Sequence, residues 1–179
     1  MGKLVDLIRN HPEQVNALTA LCALFVSFLS IVRTFCALWL QRRHNFKSLT
    51  PIAHISANDF ENLLEVKIRN YGIGPLLVES FIASRGAEEK HNIIDWMASG
   101  NWTTFTKIVE GRCIPAGGQI ILVRLEGDVD DMAFTRRRDK VRRSLSELTV
   151  SLKYKDIYDR RMPDAVRDLQ WFKRNLAGN

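Results

Sequence analysis

The sequence predicts an N-terminal transmembrane helix followed by a mainly-β soluble domain, an immunoglobulin-like β-sandwich with one or two inserted helices. Three observations carry this expectation. Residues 15–40, VNALTALCALFVSFLSIVRTFCALWL, hold a single charge, Arg33, in 26 positions. A helix rises about 1.5 Å per residue and about 20 apolar residues cross a hydrocarbon layer of about 30 Å, so this run spans with turns to spare. Beyond it, short segments alternate apolar and polar residues with period two, the mark of half-buried strands, between dense Gly, Pro and Asn turn signals. Seven or so such segments at close spacing favour a sandwich over an α/β sheet.

Taken in order, residues 1–14 form a short N-terminal segment, with an interfacial helix over 2–10 that ends near Pro12. Residues 15–40 are the span, 41–48 a basic juxtamembrane linker and 49–179 the β-sandwich domain. Strands are expected over 51–56 and 64–69; the turn Asn70-Tyr71-Gly72-Ile73-Gly74-Pro75 then leads into a returning strand over 76–84, as a hairpin-like pair. Asn92 caps a short helix to residue 98, with Asp95 at its third position. Residues 103–109 read as a strand, 115–118 as a turn and 119–125 as an apolar strand. The period then switches: Asp130 and Asp131 open a helix to about residue 147, since acids favour a helix N-terminus. Residues 149–154 alternate again, 158–161 turn, and 165–172 form a last strand or short helix whose Trp171 and Phe172 pack on the sheets.

The span has its own pattern. Asn16, Thr19, Ala23, Ser27, Ser30, Thr34, Ala37 and Gln41 recur by threes and fours, which places them along one seam of a helix. In lipid, small residues let backbones approach and hydroxyls bond between helices, so this seam predicts self-association. The alternative is a lone anchor whose hydroxyls bond back to their own helix. Arg33 borders the seam and is read as an interfacial anchor that snorkels to the headgroups, or as the lining of a pore mouth.

The chain carries 26 Lys and Arg against 20 Asp and Glu, a net +6, of which +5 lies beyond the span. That balance suits nucleotides, nucleic acid or an anionic membrane surface and proves none. Lys3 and Arg9 precede the span, whereas Arg33, Arg42, Arg43 and Lys47 lie at its C-terminal side, so the positive-inside rule puts the β-domain in the cytoplasm. Cys22, Cys36 and Cys113 form no disulfide framework, in keeping with a reducing compartment. No cleavage site of the small-x-small kind follows the span, so no cleaved signal peptide is expected.

No catalytic constellation is visible. His11, His44, His54 and His91 are scattered, none at metal-ligand spacing, and no nucleophile elbow or phosphate-binding glycine loop is present. Neither a metal nor a cofactor is expected, and the chain does not read as an enzyme. The sharpest charged feature is Arg136-Arg137-Arg138-Asp139-Lys140-Val141-Arg142-Arg143, basic at six of eight positions. On a helix Arg136, Lys140 and Arg143 share one face and Arg138 and Arg142 another. Arginine forks suit phosphate oxygens, so all six are candidate phosphate ligands; contact with anionic lipid and a merely solvated face are the competing readings. Trp96, Trp102 and Phe105 are available as stacking platforms, though aromatics at such spacing are more often core.

With its Asn70-x-Gly72-x-Gly74-Pro75 turn and its Tyr154-Lys155-Asp156-Ile157-Tyr158 segment, the chain resembles, over roughly residues 15–160, a group of small bacterial single-pass membrane proteins. These carry a cytosolic β-sandwich, as in the membrane effectors of anti-phage defence. The resemblance implies a bacterial inner-membrane protein whose β-domain senses a nucleotide or oligonucleotide and whose bundled helices disrupt the bilayer or form a pore. The partners it implies are the lipid bilayer, further copies of the chain (a tetramer among the stoichiometries) and a nucleotide or short nucleic acid. The alternative is a membrane-tethered adaptor that binds a protein partner through its β-domain.

Overall fold

The computed structural model describes residues 12–97 and 102–176, and the chain divides at Lys47/Ser48 into two units. The first is α1, Pro12–Ser48, 37 residues without interruption. Proline fits the first turn, where its missing N–H has no helical partner, and no proline recurs until Pro51. The helix therefore runs on through residues 41–48, which the sequence suggested as a linker. Among its exposed side chains are Leu18, Phe25, Phe28, Phe35 and Trp39, and the guanidinium of Arg43 lies over the Trp39 ring one turn earlier, at 5.7 Å. This helix is long and apolar enough to span a membrane. The segment 1–14 lies outside the described residues except for its last three.

The second unit is mainly β. Its strands are β1 (Ala53–Asp59), β2 (Leu63–Asn70), β3 (Leu76–Arg85), β4 (Glu88–Lys90), β5 (Thr104–Phe105), β6 (Cys113–Ile114) and β7 (Gln119–Glu126). Helix α2 (Met132–Leu145) follows, then β8 (Thr149–Lys155) and β9 (Ala165–Asp168). Two antiparallel sheets result, one in the order β1-β2-β7-β5 and the other β4-β3-β8-β9, with β6 on the start of β3. Their inward side chains, among them Ile55, Val66, Ile68, Leu122, Phe81, Val150 and Leu152, form one hydrophobic cluster together with Phe134 and Leu145 of α2. Burying apolar surface at about 25 cal/mol per Å² is what holds the sheets and α2 together.

The expected hairpin of β2 with β3 is not formed. β2 pairs with β1 and β7, β3 pairs with β8, and the 71–75 turn carries the chain from one sheet to the other. A turn signal says that the chain reverses; it does not say in which sheet the next strand lands. The strand expected over 103–109 is reduced to β5, and the helix expected over 92–98 is a 3-10 turn over Ile94–Trp96, with residue 98 outside the described residues. Asn92 does cap it: its Oδ1 accepts from Asp95 N at 2.9 Å, and its Nδ2 donates to the Asp95 carboxylate. The ambiguous 165–172 segment is both things in turn, β9 and then a 3-10 helix over Gln170–Asn175 that buries Phe172.

The pairing registers give the domain two ends. At the proximal end, where the chain enters through residues 49–52, lie Ala53, Asn70 and Gln119 of one sheet and Leu76, Ile114 and Lys155 of the other. Asn70 is fully buried there. Its Oδ1 accepts from Ile52 N and Gly72 N, and its Nδ2 donates to the carbonyls of Gly74, Ile114 and Pro115. Gly72 and Gly74 let the turn lie directly on the incoming backbone: a Cβ on Gly74 would stand 1.9 Å from Leu49 O, and one on Gly72 2.3 Å from Thr50 O. At the distal end, the β1–β2 turn and the end of β7 meet α2.

Candidate functional site

Helix α2 carries the basic octet, and its two faces have different fates. Asp131 caps the helix, its Oδ1 accepting from Ala133 N at 2.8 Å. Phe134, Val141 and Leu145 turn into the core, which forces the residues between them on that side, Arg138 and Arg142, inward as well. Arg142 is buried and forks onto Asp59 Oδ1 through Nε at 2.9 Å and Nη2 at 2.7 Å, with Nη1 on Asp139 at 3.0 Å. Arg138 donates from Nη1 to Glu61 O at 2.5 Å and from Nε to Asp139 at 3.3 Å. The other oxygen of Asp59 accepts from Asn175 Nδ2 at 2.8 Å, so one buried carboxylate ties β1, α2 and the C-terminal 3-10 helix together.

Arg138 and Arg142 are thus withdrawn from the candidate phosphate ligands. Their donors already have internal acceptors, and freeing them would leave Asp59 buried and unpaired, a loss on the order of 3–5 kcal/mol. Arg136, Lys140 and Arg143 are exposed along the opposite face, one helical turn apart. Arg137 is half-buried, its guanidinium 5.3 Å from the Trp102 ring. The available set is therefore Arg136, Arg137, Lys140 and Arg143.

Beside Arg137 a cleft of about 410 Å³ opens between the end of β7 and the start of α2. Glu126, Asp128 and Asp131 line it with Trp102 and Phe134. Three carboxylates against one guanidinium make it a poor phosphate pocket, so the cation-rich surface is the outer face of α2. Of the aromatic platforms, Trp96 is core, its Nε1 donating to Ala83 O at 3.2 Å and its ring covered by Arg85 and Lys90. Phe105 stands exposed on the edge strand β5.

Along α1 the seam residues Asn16, Thr19, Ala23, Ser27, Ser30 and Thr34, and Arg33 beside them, are all exposed. Each hydroxyl donates back one turn: Thr19 to Val15 O, Ser27 to Ala23 O, Ser30 to Val26 O and Thr34 to Ser30 O, all at 2.8 Å. Their protons are satisfied within the helix, and what the seam offers a neighbour is small size and oxygen lone pairs.

Elsewhere, His91 Nδ1 lies 3.0 Å from Glu110 Oε1, and that contact, helped by the Phe81 N–H and opposed by burial, holds the Glu110 carboxyl below its ordinary range. Among the described residues no group of three His, Cys, Asp or Glu side chains is arranged to hold a metal ion. Sequence reasoning missed two polar hubs, Asn70 and Asp59. The first had a signal in its place two residues before the first glycine of Gly72-x-Gly74; the second had none, because its partner lies 83 positions away. Neither a protein-family model nor a curated protein sequence matches this chain.

Proposed function

We propose that the protein is a membrane effector: α1 anchors it in a bacterial inner membrane and self-associates, and the cytoplasmic β-domain senses a nucleotide or oligonucleotide on the outer face of α2. The observation that carries this reading is the division of α2 into a structural face and a cationic face. Arg138 and Arg142 fix the helix to the β1–β2 turn, and Arg136, Lys140 and Arg143 are thereby held outward in a rigid row. A solvated face has no need of such anchoring. The sheet order supports an immunoglobulin-like sandwich in its finer sense, since β1-β2-β7-β5 over β4-β3-β8-β9 follows the ABED and C′CFG arrangement, with α2 in the E–F connection.

The position of α2 at the distal end, away from residues 49–52, favours a soluble ligand over lipid for its cations. Ligand binding would bias the assembly of spans only through different affinities for the two states. The test is the ultraviolet spectrum and light-scattering mass of detergent-purified protein. An oligomer that carries nucleotide absorbance, lost in Arg136→Glu/Arg143→Glu protein of unchanged fold, supports the reading; a monomer with a clean protein spectrum overturns it. The back-bonded hydroxyls of α1 favour the second reading, a tethered adaptor with a monomeric span, and that second result would leave it standing.

A further inference from the structure

We propose that the proximal end of the β-domain is a lipid-docking surface that rests in the headgroup layer. This rests on the reading of α1 as a membrane span. Three loops meet at that end and leave large apolar side chains in solvent: Ile52 is 54% exposed, Tyr71 56%, Ile73 73%, Ile157 46% and Tyr158 42%. Asn70 binds the first two loops together, and the Leu77–Lys155 pairing brings the third beside them. Among the described residues of the domain, the other exposed large apolar side chains lie on the β1–β2 turn, β5 and the loop after it, the start of α2, and β9, away from these three loops. Single exposed apolar residues are ordinary, whereas a group on adjoining loops marks a surface that something covers.

The chemistry of the group fits a lipid interface. Three isoleucines and two tyrosines place apolar bodies outward, the pattern of interfacial belts. The Arg69 guanidinium lies 4.9 Å from the Tyr71 ring, with His54 edge-on to the same ring. Lys155, Arg160 and Arg161 flank Tyr158; Asp159 and Glu79 face these cations, and Asp156 is spent inside its own turn. Three cations against three carboxylates leave this ring near neutral, so the apolar tip itself, with Arg69 stacked on Tyr71, is what suits a lipid interface.

Reach and rigidity favour the same occupant. α1 runs eight residues past Leu40, about 12 Å, and the headgroup layer on one side is roughly 5–7 Å deep. The run over 15–40, with Arg33 its single charge, is about 39 Å long against a hydrocarbon thickness of about 30 Å, and tilt or sliding takes up the surplus, which draws residues 49–52 toward the headgroups. The Asn70 node and the two close-packed glycines hold the tip preformed, so little ordering entropy is spent on docking. A covalent tether also makes even weak docking intramolecular.

The test uses full-length protein with Cys22→Ala, Cys36→Ala and Cys113→Ser, reconstituted in vesicles of phosphatidylcholine and phosphatidylglycerol. Single spin labels are placed through Phe28→Cys in the span, Ile73→Cys at the tip and Ala87→Cys in the β3–β4 turn at the distal end. Accessibility to oxygen is compared with accessibility to a water-soluble nickel chelate. The expected result is label 28 in lipid, label 73 shifted strongly toward oxygen, and label 87 in water. Introducing Ile73→Glu should move a label at Ile52→Cys back toward the nickel reagent. If label 73 matches label 87, docking is overturned and the span stands; if label 73 is hidden from both reagents, a second copy covers the tip and docking is equally overturned. Label 28 in water would instead overturn the spanning reading itself.

Discussion

At the residue scale, two buried side chains hold the proximal end in shape. Asn70 bonds two N–H groups and three carbonyls. Asn70→Ala leaves buried donors unpaired and should cost about 2–3 kcal/mol, read as a lower Tm of the β-domain by near-ultraviolet circular dichroism. Gly74→Ala should cost at least as much, because the clash is with the Leu49 backbone and cannot be relieved by a side chain moving aside. Asp156 organises the β8–β9 turn: its Oδ1 accepts from the backbone of Tyr158 and Arg160, and its Oδ2 from the Arg160 guanidinium at 2.7 Å. Burial works against its charge, but these donors outweigh it and hold its carboxyl below the ordinary range. A depressed carboxyl stabilises the fold above the unfolded-state pKa of about 3.9, and that stabilisation disappears as pH falls through the folded value. Asp156→Asn should therefore lower the Tm at neutral pH, and its gap from the parent protein should close in strong acid. A gap that stays constant with pH would mean that the charge plays no part.

At the element scale, α2 is the place where one helix has two separable roles. Arg142→Ala strands the buried Asp59 and should destabilise the domain by on the order of 3–5 kcal/mol. Arg136→Glu and Arg143→Glu sit on the solvent face and should change stability by no more than about 0.5 kcal/mol. The same two substitutions should abolish binding of a short oligonucleotide and remove its salt dependence; with four available cations the parent slope of log K against log salt should be about −3. This division was half legible in the sequence. Helical periodicity already separated Arg136, Lys140 and Arg143 from Arg138 and Arg142. Which face was buried depended on Asp59 and Glu61, and local sequence carries no trace of pairings that distant. The same limit explains the strands. Period-two alternation located β2 and β8 nearly to the residue, because it reports which face of a strand is buried, and turn signals placed β3 and the apolar β7 as closely. Neither reports the neighbour, and so β2 and β3 were expected together when each belongs to a different sheet. α1 was the most legible element, since one charge in 26 residues has few structural explanations, yet its extension through Ser48 was missed because basic residues were read as a linker when nothing there breaks a helix.

At the scale of the whole molecule, the two units are joined by one short segment, so any communication between ligand and bilayer is a coupling free energy between two equilibria. Ser27→Leu/Ser30→Leu replaces the narrowest part of the seam with bulk and should prevent close approach of spans, read as loss of cross-linking or of light-scattering mass in detergent. Helicity of α1 should be unaffected, because the lost hydroxyl bonds are additional to a complete backbone ladder. Reciprocity then fixes what must happen at the other end of the molecule. If ligand on α2 promotes assembly of the spans by some factor, assembly must tighten ligand by the same factor, typically about 5–150-fold. The Ser27→Leu/Ser30→Leu protein should accordingly bind a fluorescent oligonucleotide more weakly than the parent, although neither residue lies in the β-domain. Equal affinities would show that the span and α2 are uncoupled, and the effector reading would give way to the tethered adaptor. A weaker affinity that returns when the spans are cross-linked at a position off the seam would show that assembly itself, and not a defect in folding, is what the ligand senses.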